Sequence, residues 1–314
     1  MKKQSIALII LLVLLFSGAI YIYSQNGKAI ICFTNTTSSA GAIDRIFEDN
    51  SKRKLWIPTG ATEIKNDEFT LDECKIKVVH SGGKSNSFSI KYKDIECKSF
   101  LLAYPSNQEN IILVKLEIPR ATNLLTIVNN YFKQKHIETT TNKFLQSIHN
   151  FFAKQENIYG TSFQKTILKD STLVSLKVNT ILYPTVAQIY ASIDKLKDFA
   201  KNNDALQINP PMLNVLKNQN VGFTYMVALP VNKFINISTA EIMAKRMLVG
   251  GNIIESAKIM GGELSIEKYL KELENFKFDN AYISPAIPYQ SLITDRRVVS
   301  DTSKWETKLY YPIF

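Results

Sequence analysis

Residues 6–23, reading IALIILLVLLFSGAIYIY, form an uncharged apolar block behind Met1, Lys2, Lys3, Gln4 and Ser5. At about 1.5 Å per helical residue, such a block nearly crosses a hydrocarbon core of roughly 30 Å. Tyr21 and Tyr23 stand where interfacial aromatics are favoured, and Lys28 follows them. The block therefore predicts a single membrane-spanning helix. The competing reading is a cleaved signal peptide. Against it, the run exceeds the usual apolar core of roughly 7–15 residues, and no clean small-x-small cleavage site follows. Ser17, Gly18 and Ala19 are small, but Ile20, Tyr21, Ile22 and Tyr23 continue the apolar run, and no cysteine ends it. Lys2 and Lys3 favour a cytoplasmic N-terminus, which predicts an extracytoplasmic soluble part.

Composition bounds the rest. The chain has 314 residues, 45% of them hydrophobic and 21% charged. Domains of roughly 100–200 residues leave room for two. Collagen, low-complexity disorder and a disulfide-stapled miniprotein are excluded. The formal charge of +10 raises nucleic-acid binding, but the lysines are scattered and Lys52-Arg53-Lys54 is the only tight basic cluster. With no zinc-finger, basic-zipper or RNA-recognition pattern, no nucleic-acid partner is expected. Cys32, Cys74 and Cys97 match no metal spacing and read as small apolar strand residues, so neither metal nor cofactor is expected.

The pattern divides into an anchor (1–27), a first domain (28–158) and a second (159–314). The first opens with a strand at 29–33 and a helical spacing at Ile43, Ile46 and Phe47. Four β-like runs follow, at 74–80, 87–92, 97–104 and 111–118, with Ser81-Gly82-Gly83-Lys84 as a hairpin turn. An amphipathic helix is predicted over 139–155, capped by Thr140 or Thr141, its stripe being Phe144, Leu145, Ile148, Phe151 and Phe152. This is an α+β domain. The order of strand, short helices, Lys54-Leu55-Trp56-Ile57-Pro58-Thr59-Gly60, meander and long helix resembles the START/SRPBCC helix-grip domains. That resemblance implies a long helix closed over an apolar interior, which in many members holds a lipid or another small molecule.

The second domain carries an internal duplication. Strands at 163–168 and 173–181, a helix at 184–202 with Pro184 in its first turn, a loop at 209–213 and a strand at 222–231 make one copy. Strands at 242–248 and 252–260, Gly261-Gly262, a helix at 264–276, the loop Ser284-Pro285-Ala286-Ile287-Pro288-Tyr289 and a strand at 305–313 make the other. The expected fold class is thus α+β throughout: a transmembrane helix, a helix-grip-like antiparallel domain and a duplicated strand–helix–strand–strand domain. The duplication resembles the GyrI-like small-molecule-binding domain, the effector-binding domain of AraC-type and multidrug-responsive regulators. The resemblance implies a ligand groove at the pseudo-twofold, lined with aromatics and an acid about four residues before the final proline.

Carried over by position, the ligand-binding candidates are Tyr183, Tyr225, Tyr289, Trp305, Glu306 and Tyr310. The sequence departs from the pattern, because Lys308 stands four before Pro312 and Met226 four before Pro230. Strand alternation puts Glu306, Lys308 and Tyr310 on one face and Trp305, Thr307, Leu309 and Tyr311 on the other. A Glu306–Lys308 pair would cancel a site for a simple organic cation, leaving a neutral or anionic amphipathic ligand. Glu255 is a further acid. His80, His136 and His149 stand beside no nucleophile or metal-ligand pattern, with His149 expected on the surface. The leading expectation is a membrane-anchored, non-enzymatic protein binding or sensing a small amphipathic molecule. One alternative is a hydrolase with Glu306 as general base and Tyr310 beside it. The other is a protein-interaction module like the gyrase-inhibiting relatives.

Overall fold

A computed structural model describes residues 2–65, 68–79, 86–105, 109–168, 172–218, 222–236, 239, 241–246, 251–284 and 286–313. His80, the 81–84 turn, Pro285 and residues 247–248 of an expected strand lie outside the described residues. The chain divides into two compact units, Met1–Lys154 and Gln155–Phe314. Both are α+β, each built on an antiparallel sheet.

Helix α1 (Lys2–Gln25) carries the apolar block, and its span Ile6–Gln25 is long and apolar enough to cross a membrane. Next come β1 (Ile30–Thr36), α2 (Ala40–Glu48) and α3 (Arg53–Trp56). A meander of β2 (Thr62–Lys65), β3 (Glu68–Leu71), β4 (Cys74–Val79), β5 (Asn86–Tyr92), β6 (Ile95–Tyr104) and β7 (Asn110–Glu117) follows. The long α4 (Leu124–Phe152) closes the unit. Strand order is β1-β7-β6-β5-β4-β3-β2, with each strand antiparallel to its neighbour.

Period-two alternation turns Cys74, Ile76 and Val78 inward on β4, and Ile95, Cys97, Ser99 and Leu101 on β6. They meet Phe144, Leu145, Ile148 and Phe152 of α4 in the core. An aromatic cluster fills the interior. Phe144 lies 6.0 Å from Trp56, 5.6 Å from Phe69 and 5.5 Å from Phe88 between ring centroids. Phe47 bridges Trp56 at 5.1 Å and Phe152 at 5.7 Å.

Three expectations need correction in this unit. The closing helix starts at Leu124, not 139, and Asn123 caps it by accepting from the Thr126 amide. Buried Asn130 and Gln134 and exposed Leu124 and Leu125 blur the 3.6-residue pattern there, which hid the first half. Strands β2 and β3 also escaped the sequence reading. His149 is half-buried, with Nδ1 2.6 Å from the Asn35 carbonyl oxygen. All three cysteines are buried and free.

The second unit begins with α5 (Gln155–Tyr159), then β8 (Phe163–Ile167) and β9 (Thr172–Thr180). Helix α6 (Val186–Asn202) opens on a capping box between Thr185 and Gln188, so Pro184 precedes the cap instead of occupying the first turn. Then come β10 (Met212–Asn218), β11 (Gly222–Pro230), β12 (Ile242–Arg246), β13 (Asn252–Ser256) and β14 (Ile259–Met260). Helix α7 (Glu263–Asp279), β15 (Tyr289–Leu292) and β16 (Glu306–Ile313) complete it. The two expected loops are therefore partly strands: residues 212–213 belong to β10 and Tyr289 opens β15. Trp305 falls just before the last strand, ending a short 3₁₀ turn.

The sheet order β12-β9-β11-β10-β15-β16-β13-β8 is symmetric about the β10–β15 seam. Strands β9, β11 and β10 with α6 form one half, and β13, β16 and β15 with α7 form the other. Each half is completed by the lead strand of its counterpart, since β12 pairs with β9 and β8 with β13. Gly222 starts β11 with φ +92°, and a Cβ there would lie 2.4 Å from the Thr180 carbonyl oxygen. Only glycine fits that approach.

Candidate functional site

Helices cover one face of the second sheet. Register assigns Val174, Leu176, Tyr225, Val227 and Leu229 to the face that packs on α6. On β16 the buried set is Thr307, Leu309, Tyr311 and Ile313, with the Tyr311 ring beneath Lys277 of α7. Glu306, Lys308, Tyr310 and Pro312 take the opposite face. Pairing brings Tyr289 and Glu255 opposite Tyr310, and Ser291 opposite Lys308.

That helix-free face holds a cavity of about 410 Å³. Tyr289 and Tyr310 lie on its wall, stacked at 5.2 Å with planes 16° apart. Met212, Ile253 and Leu168 extend the apolar surface. Beside the rings, Lys308 Nζ donates to Glu255 Oε1 at 2.5 Å and the Tyr310 hydroxyl donates to the same oxygen at 2.9 Å. Gln164 Nε2 donates to the other carboxylate oxygen at 3.2 Å. Burial pushes the Glu255 carboxyl up, but these hydrogen bonds and the Lys308 charge outweigh it, so it titrates below the usual glutamate value.

A pH dependence follows, with its sign fixed by that lowered value. The stabilisation from Glu255 is complete above 4.5, the ordinary glutamate value, and is lost as pH falls through the lower folded value. Melting temperatures of wild type and Glu255→Gln should therefore differ most near neutral pH and converge as pH falls well below 4.5. A gap that is constant over that range contradicts the assignment.

The sequence candidates scatter. Tyr289 and Tyr310 meet in this cavity. Tyr225 is a core residue instead, only 2% exposed, its hydroxyl 3.0 Å from that of Ser192 on α6. Trp305 lies on the helix side, donating from Nε1 to the Val299 carbonyl at 2.7 Å, with the Arg296 guanidinium 4.9 Å above its ring. Glu306 pairs with Lys258 at 2.8 Å, not with Lys308. Glu306 and Tyr310, four residues apart on one strand, are about 13 Å apart along it, too far to act on one bond.

Tyr183 lines a second, smaller cavity of about 280 Å³ on the helix side, with Phe223, Glu263, Glu267 and Leu270. Burial, then the two carboxylates, push its phenol to about 12, with Arg296 opposing them. Burial and then Glu267 hold the Glu263 carboxyl above its usual range. Glu263 and Glu267 escaped the sequence reading, although their four-residue helical spacing puts them on one face of α7. Among the described residues, no cluster of histidine, cysteine and carboxylates could hold a metal ion.

The second unit is thus an α+β domain with pseudo-twofold halves and a cavity on each sheet face. No family model and no curated protein matches the chain. Among solved structures, it is similar to the C-terminal domain of EcmrR, with 15% identity and a TM-score of 0.39 over 49% of this chain and 98% of that one. It is also similar to the di-domain ARO/CYC protein BexL from the BE-7585A biosynthetic pathway, with 6% identity and a TM-score of 0.32 over 91% and 85%. The Aha1 dimer from Colwellia psychrerythraea matches with 11% identity and a TM-score of 0.29 over 40% and 96%. All are distant likenesses.

Proposed function

We propose that this chain is a membrane-tethered binding protein whose second unit takes a small amphipathic molecule in the Tyr289–Tyr310 cavity. The stacked tyrosines beside the Glu255–Lys308 pair carry the reading. Aromatic faces offer large apolar contact at little conformational cost, and the nearby charges fix the orientation of a polar end. Lys308 already neutralises Glu255, so the cavity offers no unpaired carboxylate to a simple organic cation. A neutral or anionic amphiphile with a flat apolar portion fits better. A thermal-shift screen of the detergent-solubilised full chain against neutral, anionic and cationic amphiphiles tests this. Stabilisation is expected from the first two classes, and none from any class contradicts binding.

In this reading α1 crosses the bilayer once, with residues 28–314 extracytoplasmic. The support is the uncharged run from Ile6 onward behind Lys2 and Lys3. An alkaline phosphatase fused after Phe314 should be active and a fluorescent protein that matures only in the cytoplasm should be dark. The opposite pair of results overturns the orientation.

A further inference from the structure

We propose that the first three turns of α4 lie in the boundary between lipid headgroups and acyl chains, docking the first unit onto the membrane. The inference rests on α1 crossing that membrane. Leu124, Leu125, Val128 and Phe132 are 71%, 87%, 42% and 64% exposed. At the helical step of about 100° per residue, these four fall within an arc of roughly 100°. Ile127, Asn130 and Gln134, the residues that α4 buries in its own unit, occupy the opposite side. The first turns therefore turn an apolar side outward, while the side that packs inside the unit carries Asn130 and Gln134 beside Ile127.

The location of the stripe identifies what covers it. Tyr131, next to the stripe around the helix, meets Tyr21 of α1 edge-to-face at 6.2 Å. Asn26, just past α1, donates to the Ala121 carbonyl oxygen at 2.8 Å and accepts from the Ala121 amide at 2.9 Å. The start of α4 is thereby fixed to the end of the membrane-spanning helix, at the level where interfacial tyrosines sit. The same stripe changes character further on. Lys135, Thr139 and Asn142 continue it, all exposed and all polar. Residues 118–137 contain no aspartate or glutamate and Arg120 is exposed there, which suits an anionic headgroup region, while Lys135 pairs with Glu138 at 2.8 Å just beyond the apolar turns. Along α4, large exposed apolar side chains are thus confined to the turns that α1 holds beside the bilayer.

The test is site-directed spin labelling of the full chain in vesicles of phosphatidylcholine with a minor fraction of phosphatidylglycerol. Because the three native cysteines are buried, an introduced exposed cysteine is labelled selectively. Labels are placed at Leu125→Cys, Phe132→Cys, Asn142→Cys and, within α1, Val13→Cys. Accessibility to oxygen relative to a water-soluble nickel chelate reports depth. Labels at 125 and 132 should show a ratio severalfold above that at 142, which should read as water. If 13 reads as lipid while 125 and 132 read as water, the docking is overturned and the span stands. If 13 also reads as water, both are overturned. Low access to both reagents at 125 and 132, with spin–spin broadening, means a second copy covers the stripe, which overturns the lipid assignment.

Discussion

Replacing Phe144 with alanine should destabilise the first unit by about 3–5 kcal/mol, a large share of the roughly 5–15 kcal/mol that holds an ordinary domain together. Phe144 is 1% exposed and its ring touches those of Trp56, Phe69 and Phe88. Truncation removes the buried ring surface and leaves a void among three other aromatics that the sheet and α4 hold in place. Packing alone fixes the cluster, because the Trp56 Nε1 hydrogen has no acceptor among the described residues. The chain has two tryptophans, Trp56 in this unit and Trp305 in the other. In a Trp305→Phe background, Trp56 fluorescence during denaturant unfolding therefore reports on the first unit. A loss under ~1 kcal/mol would mean that the site tolerates truncation as an open cavity does. The aromatic filling would then be wrong, and the first unit would become a competing ligand site.

The second large effect concerns binding. Tyr289→Ala and Tyr310→Ala should each weaken the best ligand at least tenfold, about 1.4 kcal/mol. A stacked aromatic contact contributes ~0.5–1.5 kcal/mol beyond the area it buries, and each truncation also removes the partner of the remaining ring. Tyr310→Phe separates the parts, because it keeps the ring and deletes the hydroxyl that donates to Glu255. Its loss in affinity should be clearly smaller than that of Tyr310→Ala. Equal losses would mean that the hydroxyl, not the ring face, makes the contact.

Strand alternation on β16 was legible in the sequence, because a period of two needs only local residues. Which face is open was not, since that depends on where α6 and α7 lie. The duplication was legible from repeated element order, but its swapped lead strands were not, because β8–β13 and β12–β9 pairing joins distant segments. The same limit hid the role of Glu255. Its partners Lys308 and Tyr310 are 53 and 55 residues away, joined by the β13–β16 register. Tyr225 and Trp305 were aromatic at positions the GyrI-like resemblance favours, yet parity turns both toward the helices. The start of α4 escaped because its first turns expose leucines, which a soluble-helix pattern assigns to the interior. The polar residues it buries instead, Asn130 and Gln134, reversed the pattern expected there.

The most direct test of the binding assignment is calorimetric titration of the full chain with the best-stabilising amphiphile, in wild type, Tyr289→Ala, Tyr310→Ala and Tyr183→Ala. The helix-free cavity predicts a tenfold or greater loss in the first two variants, ~1.4 kcal/mol each, and wild-type affinity in Tyr183→Ala. Affinity that falls with Tyr183 and is indifferent to Tyr289 and Tyr310 would place the ligand on the helix side of the sheet and contradict the account.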